Sequence, residues 1–221
     1  MNSIEKEISY THTNTYSTLN TLTATTKNVW FVCHGMGYLS RYFLKYFKGL
    51  DAEENYIIAP QAQSKYYIPP AFKHVGASWL TKENTLKETE NVMRYFDAVL
   101  EAEQLPNDVN LIVVGYSQGV SVAMRYIARR QLQCNQLVLM SGGIPKELVA
   151  DDFKLLKTLP AEEFTNGIPE IIKHGLIFSN DYYNKAKSIT ANTKFSEIIQ
   201  IIKESMQIKL NFVSGDEKDK G

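Results

Sequence analysis

Five residues, Gly115-Tyr116-Ser117-Gln118-Gly119, follow directly on the apolar run Leu111-Ile112-Val113-Val114, and they constrain the fold more than any other stretch. A strand covered on both faces reads as such a run. Ending it in a glycine-flanked serine, with a helical pattern starting at once, puts that serine on a sharp strand-to-helix turn. On that turn Ser117 takes a positive φ, and strand and helix approach so closely that the residues two before and two after must be small. Both are glycine. A serine hydroxyl is a poor nucleophile in water, so chemistry at Ser117 requires exposure, a base, and donors for the oxyanion that its attack creates. The turn supplies the first requirement and helps with the third.

Around this turn, short β-branched runs alternate with amphipathic helical stretches, the pattern of strands joined by crossover helices in a mostly parallel sheet. Residues 8–22 alternate loosely and suit an antiparallel leading hairpin or edge strand; 29–33 form a continuous apolar strand. Residues 39–47 read as a helix, 56–59 as a strand stopped by Pro60, and 61–78 as a long loop containing Pro69-Pro70. Over 83–103, Leu86, Met93, Phe96 and Leu100 share one helical face, which Val92 and Val99 widen. A helix over 119–131 follows the serine turn, with Ala123 and Ile127 toward the sheet, and 137–141 is the next strand. Beyond Pro145 the pattern weakens into helical pieces at 151–156 and 194–206 and strand candidates at 176–178 and 208–213.

A length of 221 residues, 44% hydrophobic, suits one sizeable core, so the expectation is a single domain over 1–221. No apolar run approaches the roughly 20 residues of a membrane span, and the polar N-terminus lacks a secretory pattern, which predicts a cytoplasmic protein. Cys33 and Cys134 then read as thiols, Cys33 buried at a strand end. Twenty-four basic and twenty-four acidic residues leave no net field to recruit nucleic acid or anionic lipid, so a small-molecule partner fits better. No metal or cofactor is called for.

A second motif sharpens the first. His34-Gly35-Met36-Gly37 ends the 29–33 strand, and in a parallel sheet that end lies on the same edge as the serine turn. The backbone N–H groups of Met36 and Gln118 are therefore candidates to converge on one oxygen. The alternative is that Gly35 and Gly37 only turn the chain.

At these residues the chain resembles the α/β-hydrolase superfamily, and in particular the phospholipase/carboxylesterase family of small serine esterases. The resemblance runs from about Tyr16 to Gly143, through Trp30-Phe31-Val32-Cys33-His34-Gly35-Met36-Gly37, Ala59-Pro60, Val75-Gly76-Ala77-Ser78-Trp79 and the serine turn. It implies a three-layer α/β-hydrolase fold, a mostly parallel sheet with helices on both faces. It also implies cleavage of carboxylic esters or thioesters through an acyl-serine at Ser117, with an acid and then a histidine following in chain order. By position Tyr38, Trp79 and the pair Tyr66-Tyr67 would line the substrate cleft, aromatic packing beneath a long loop being the other reading.

One part of the family pattern is missing. The four histidines are His12, His34, His74 and His174, and none follows the last strand candidate, so the histidine loop and closing helix are not found. Asp181 stands where a strand-end acid belongs; a second alignment places the acid at Asp216. His174, at the far end of a strand over 175–179, would lie roughly 15 Å from the serine edge at about 3.3 Å per residue, beyond hydrogen-bond reach. The sequence thus predicts a serine esterase with Ser117 and Asp181 catalytic. The rival is a catalytically impaired or truncated homologue that keeps the pocket for ligand binding.

Overall fold

The computed structural model describes residues 3–140, 142–149 and 151–153. Its chain order is β1 (Tyr16–Leu19), β2 (Asn28–Cys33), α1 (Ser40–Phe43) continued by a 3₁₀ turn (Leu44–Phe47), β3 (Asn55–Pro60), β4 (Ser64–Tyr67), β5 (Val75–Ser78), α2 (Thr85–Glu103), β6 (Asn110–Tyr116), α3 (Gln118–Arg130) and β7 (Gln136–Met140). The elements expected at 154–221, with Asp181, Asp216 and His174, lie outside the described residues.

Among the described residues, five strands form one sheet in the order β1-β3-β2-β6-β7. The pairs β3–β2, β2–β6 and β6–β7 are parallel, and only the edge strand β1 is antiparallel. Period-two alternation divides each central strand between two cores. Val29 and Phe31 of β2, Ile58 of β3, Val113 of β6 and Leu139 of β7 face the core that holds Val92, Met93 and Phe96 of α2 and Ala123 and Ile127 of α3. Trp30, Val32, Ile57, Ile112, Val114 and Val138 face the opposite core, against Phe43, Leu44 and Phe47. Helical segments cover both faces of a mostly parallel sheet, so the fold is three-layer α/β. That is why the strands read as unbroken apolar runs. Where the three central strands begin, Asn28, Asn55 and Asn110 stand in register. Asn110 Nδ2–H donates to Asn28 Oδ1 at 3.1 Å, and Trp30 Nε1–H to Asn55 Oδ1 at 2.9 Å, which lets the buried indole keep a polar partner.

Several local expectations change. The strand expected within 8–22 is the four-residue edge strand β1, and Pro60 is the last residue of β3, not the residue after it. The loop expected over 61–78 contains an antiparallel hairpin, with Tyr66 opposite Gly76 and Tyr67 opposite Val75. β4 is exposed along its whole length, so no apolar alternation marked it. The helix expected over 39–47 is one α turn followed by one 3₁₀ turn. Leu86 is 78% exposed despite its helical spacing; the buried side of α2 begins at Thr89 and continues through Val92, Met93, Phe96 and Val99.

Candidate functional site

β6 ends at Tyr116 and α3 begins at Gln118, so Ser117 alone makes the turn, at φ +53° and ψ −117°. A non-glycine residue at such angles carries strain of about 1–3 kcal/mol, held in place by its surroundings. Those surroundings are visible. The Ser117 N–H donates to the Met140 carbonyl at 2.8 Å, and its own carbonyl accepts from Val120 N–H at 3.1 Å. A Cβ on Gly119 would stand 2.1 Å from the Cys33 carbonyl oxygen, and one on Gly115 2.6 Å from Val120 Cα. The flanking glycines therefore do what the sequence pattern requires: they let α3 lie directly on β2 and β6.

β2 and β6 run in parallel register, Cys33 opposite Gly115, so His34-Gly35-Met36 leaves the sheet on the edge where Ser117 sits. A Cβ on Gly35 would meet Ser117 Cβ at 3.1 Å. Met36 is 59% exposed, and Gly37 at φ +85° turns the chain toward α1. Among the described residues, neither the Met36 nor the Gln118 N–H is taken up by a backbone carbonyl.

His34 is fully buried against the rings of Trp79 and Phe43. Its Nε2 lies 3.1 Å from the Ala62 N–H, a donor, so Nε2 accepts and the ring proton sits on Nδ1, which donates to the Gly35 carbonyl at 2.8 Å. Burial lowers its pKa to about 4, the Gly35 carbonyl opposing that shift. Both ring nitrogens are engaged, so His34 is no proton acceptor for Ser117. His74 is exposed on the hairpin loop. His12 lines a cavity of about 550 Å³ with Tyr10, Arg94 and Tyr95, whose lining includes neither Ser117 nor Met36. Burial pushes the Cys33 thiol pKa up, and both cysteines are free and buried.

The predicted cleft residues divide. Tyr38 is half-buried, its hydroxyl 3.1 Å from that of Tyr46 and its ring edge-on to Tyr116. Tyr66 and Tyr67 are exposed on β4, and the Tyr66 hydroxyl would be 3.8 Å from a Cβ on Gly37. The Trp79 ring is 1% exposed and packs edge-on to Phe96, so this side chain belongs to the core, the second of the two readings open to it. A role that sequence reasoning missed is that of the Gln118 side chain. Its Oε1 accepts from Trp79 N–H at 2.8 Å, and its Nε2 donates to the Leu80 carbonyl at 2.7 Å and to Ser78 Oγ at 3.0 Å. No short-range signal announces contacts across 38 to 40 positions.

No group of three or more potential metal ligands occurs among the described residues, and no helix among them is long and apolar enough to cross a membrane. No protein-family model matches the chain. Among curated proteins it is similar to the 3-dehydroquinate synthases of Prochlorococcus marinus, 39% identical over 80 residues, and Pyrococcus furiosus, 38% identical over 74. Each match covers 34% of this chain, and the chain spans about a fifth of the length of these relatives, 22% and 21%. Among solved structures it is similar to acyl-protein thioesterase 2 of Zea mays, with 17% identity, a TM-score of 0.47, and 66% of this chain and 69% of the other covered. A phospholipase/carboxylesterase of Dyadobacter fermentans gives 22% identity and a TM-score of 0.46, covering 66% and 68% of the two chains.

Proposed function

We propose that Ser117 is the nucleophile of a site built to cleave carboxylic esters or thioesters of small molecules, with the N–H groups of Met36 and Gln118 as its oxyanion hole. The observation that carries this reading is Ser117 held at positive φ with Gly35 packed against it. In the reaction Ser117 Oγ attacks the substrate carbonyl and passes its proton to a base. The carbonyl oxygen becomes an oxyanion to which the two N–H groups donate hydrogen bonds, and collapse expels the alcohol or thiol with a proton returned to it. Water then releases the acid from the acyl-serine. Gln118 opens the 13-residue helix α3, whose N-terminal partial positive charge adds to the oxyanion's stabilisation. Tyr38 forms one wall of the substrate cleft, whereas Trp79 supports the site from the core.

Two readings of residues beyond β7 compete. In the first, that region supplies Asp181 as the acid that orients a base, inside one domain over 1–221. In the second, it has a different ancestry, and the curated matches favour this. The Prochlorococcus marinus and Pyrococcus furiosus matches span 80 and 74 residues. The 27 residues before β2 are too few for such a match, whereas the 81 residues after Met140 are enough. On this reading Asp181 belongs to a synthase-like segment of roughly a fifth of a synthase. The α/β part then keeps Ser117 and its donors without acid or base, the impaired, ligand-binding alternative.

A fluorophosphonate probe and a short-chain p-nitrophenyl ester, applied to wild type, Ser117→Ala and Asp181→Asn, decide among these. Loss of labelling and turnover in both variants supports the complete site, since triad members act as a unit whose removal costs about 10⁴-fold or more. Slow labelling that disappears in Ser117→Ala but is unchanged in Asp181→Asn supports the second reading. Labelling that persists in Ser117→Ala, or is absent from wild type, sinks the nucleophile assignment.

A further inference from the structure

β5 and the two residues after it are hydrogen-bonded both to the chain next to Met36 and to the side chain of Gln118. On the Met36 side, Gly37 N–H donates to the Ala77 carbonyl at 2.9 Å, and Gly76 comes so close that a Cβ there would be 2.7 Å from Gly37 Cα. The Trp79 indole Nε1–H donates to the His34 carbonyl at 2.7 Å. His34 in turn donates from Nδ1 to the Gly35 carbonyl. That carbonyl and the Met36 N–H are the two ends of one planar peptide, so fixing the first sets the direction of the second.

On the Gln118 side the connection is a single side chain. Ser78 ends β5, and the backbone groups of Trp79 and Leu80 lie beyond its ladder. The Gln118 carboxamide takes the place of the next strand, accepting from Trp79 N–H and donating to the Leu80 carbonyl, with Ser78 Oγ as its third contact. Among unbranched side chains of this length, only the primary amide supplies an acceptor and two donors: a carboxylate keeps the acceptor alone, and methionine keeps neither role at useful strength.

We propose that the Gln118 side chain is a positioning residue for both oxyanion donors. It registers residues 78–80 against the serine turn, and those residues, through Ala77, Trp79 and His34, register the Met36 peptide against the same turn. The spacing between the two N–H groups is thereby set by a path of hydrogen bonds that begins and ends at the donors. This rests on the reading of Ser117, Met36 and Gln118 given above, while the hydrogen-bond path itself is testable without any turnover.

The test compares wild type with Gln118→Met and Gln118→Glu, two variants that retain the Gln118 backbone N–H. Amide hydrogen exchange at Trp79 and Gly37 reports the path. The expected result is at least tenfold faster exchange at both in Gln118→Met, with β6 amides unchanged, and partial retention in Gln118→Glu, which keeps the acceptor for Trp79 N–H. The affinity of an alkylboronic acid, which adds to the serine oxygen and presents an oxyanion, is expected to fall more than tenfold in Gln118→Met. The affinity of the matching neutral alkyl amide, which makes no such demand, is expected to change less than threefold. A merely structural defect lowers both affinities together.

Equal losses for boronate and amide, or exchange at Trp79 and Gly37 that matches wild type in Gln118→Met, would overturn the proposal. If Gln118→Met does not fold, Gln118→Glu carries the comparison, with selective loss of Leu80-side order as its expected signature and wild-type exchange as the refuting one. Boronate binding that is the same in wild type and Ser117→Ala rejects the serine reading, and the exchange data then decide the hydrogen-bond path on their own.

Discussion

Gly119 offers the most direct test of how tightly the serine turn is built. In Gly119→Ala the new methyl carbon would sit 2.1 Å from the Cys33 carbonyl oxygen, 2.7 Å from its carbon and 2.8 Å from the His34 oxygen. Ordinary contact begins at 3.4 Å, so α3 must retreat from β2 by more than 1 Å. All three atoms are backbone, two of them in the last residue of a strand hydrogen-bonded on both sides, so no rotamer change relieves the clash. Overpacking of a well-filled core costs about 1–3 kcal/mol, and a rigid backbone partner places this case at or above the top of that range. Alanine recovers about 1 kcal/mol through its better helix propensity. The expected net loss is therefore about 2–3 kcal/mol, or a fall in melting temperature of about 5–10 °C for a chain of this size. Urea and thermal unfolding should be run beside Gly49→Ala, where nothing lies within 4 Å of the added carbon and the change should stay within about 0.5 kcal/mol. The same retreat misplaces Ser117 relative to Gly35, so any Ser117-dependent labelling should slow by about 10²-fold. A Gly119→Ala protein as stable as Gly49→Ala would refute the close approach and, with it, the physical reason given for the glycine-flanked serine.

Two further measurements probe the core beneath the site. His34 is neutral in the folded protein down to about pH 4, whereas an unfolded histidine protonates near pH 6.5. Between those values the unfolded state binds the extra proton, so this contribution is complete above pH 6.5 and is lost as pH falls toward 4, amounting to about 3 kcal/mol by the end. His34→Asn, which keeps a donor for the Gly35 carbonyl, should show a flatter stability-against-pH curve over that window in chemical denaturation; an identical slope would remove the assignment. Along α2, Met93→Ala should cost about 2–5 kcal/mol and Leu86→Ala less than about 0.5, since Met93 is fully buried and Leu86 exposed; comparable losses at the two positions would contradict the burial pattern of the helix.

What was legible in the sequence was what the local chain decides. Val29 to Cys33 and Leu111 to Val114 read as two-sided strands because both their faces are covered, and Gly115 and Gly119 marked a close approach because no larger residue fits either position. The β4–β5 hairpin was hidden because its first strand is exposed throughout, and because the reason for Gly76 lies in Gly37, 39 positions away. Leu86 was misplaced because helical periodicity gives the direction of a face without saying where that face runs off the sheet. The same division applies inside the site. That Met36 and Gln118 hold candidate donors follows from where two parallel strands end, which a pattern of apolar runs reveals. What holds the donors is carried by hydrogen bonds from Gln118 to Trp79 and Leu80, and from Trp79 to His34, spanning 38 to 45 positions between residue types that each have many other uses. The turn itself can thus be located from five consecutive residues, while the hydrogen bonds around it reach a strand end almost forty residues upstream. A change at Ser78, Trp79 or Leu80 should therefore act on the serine turn without touching Ser117.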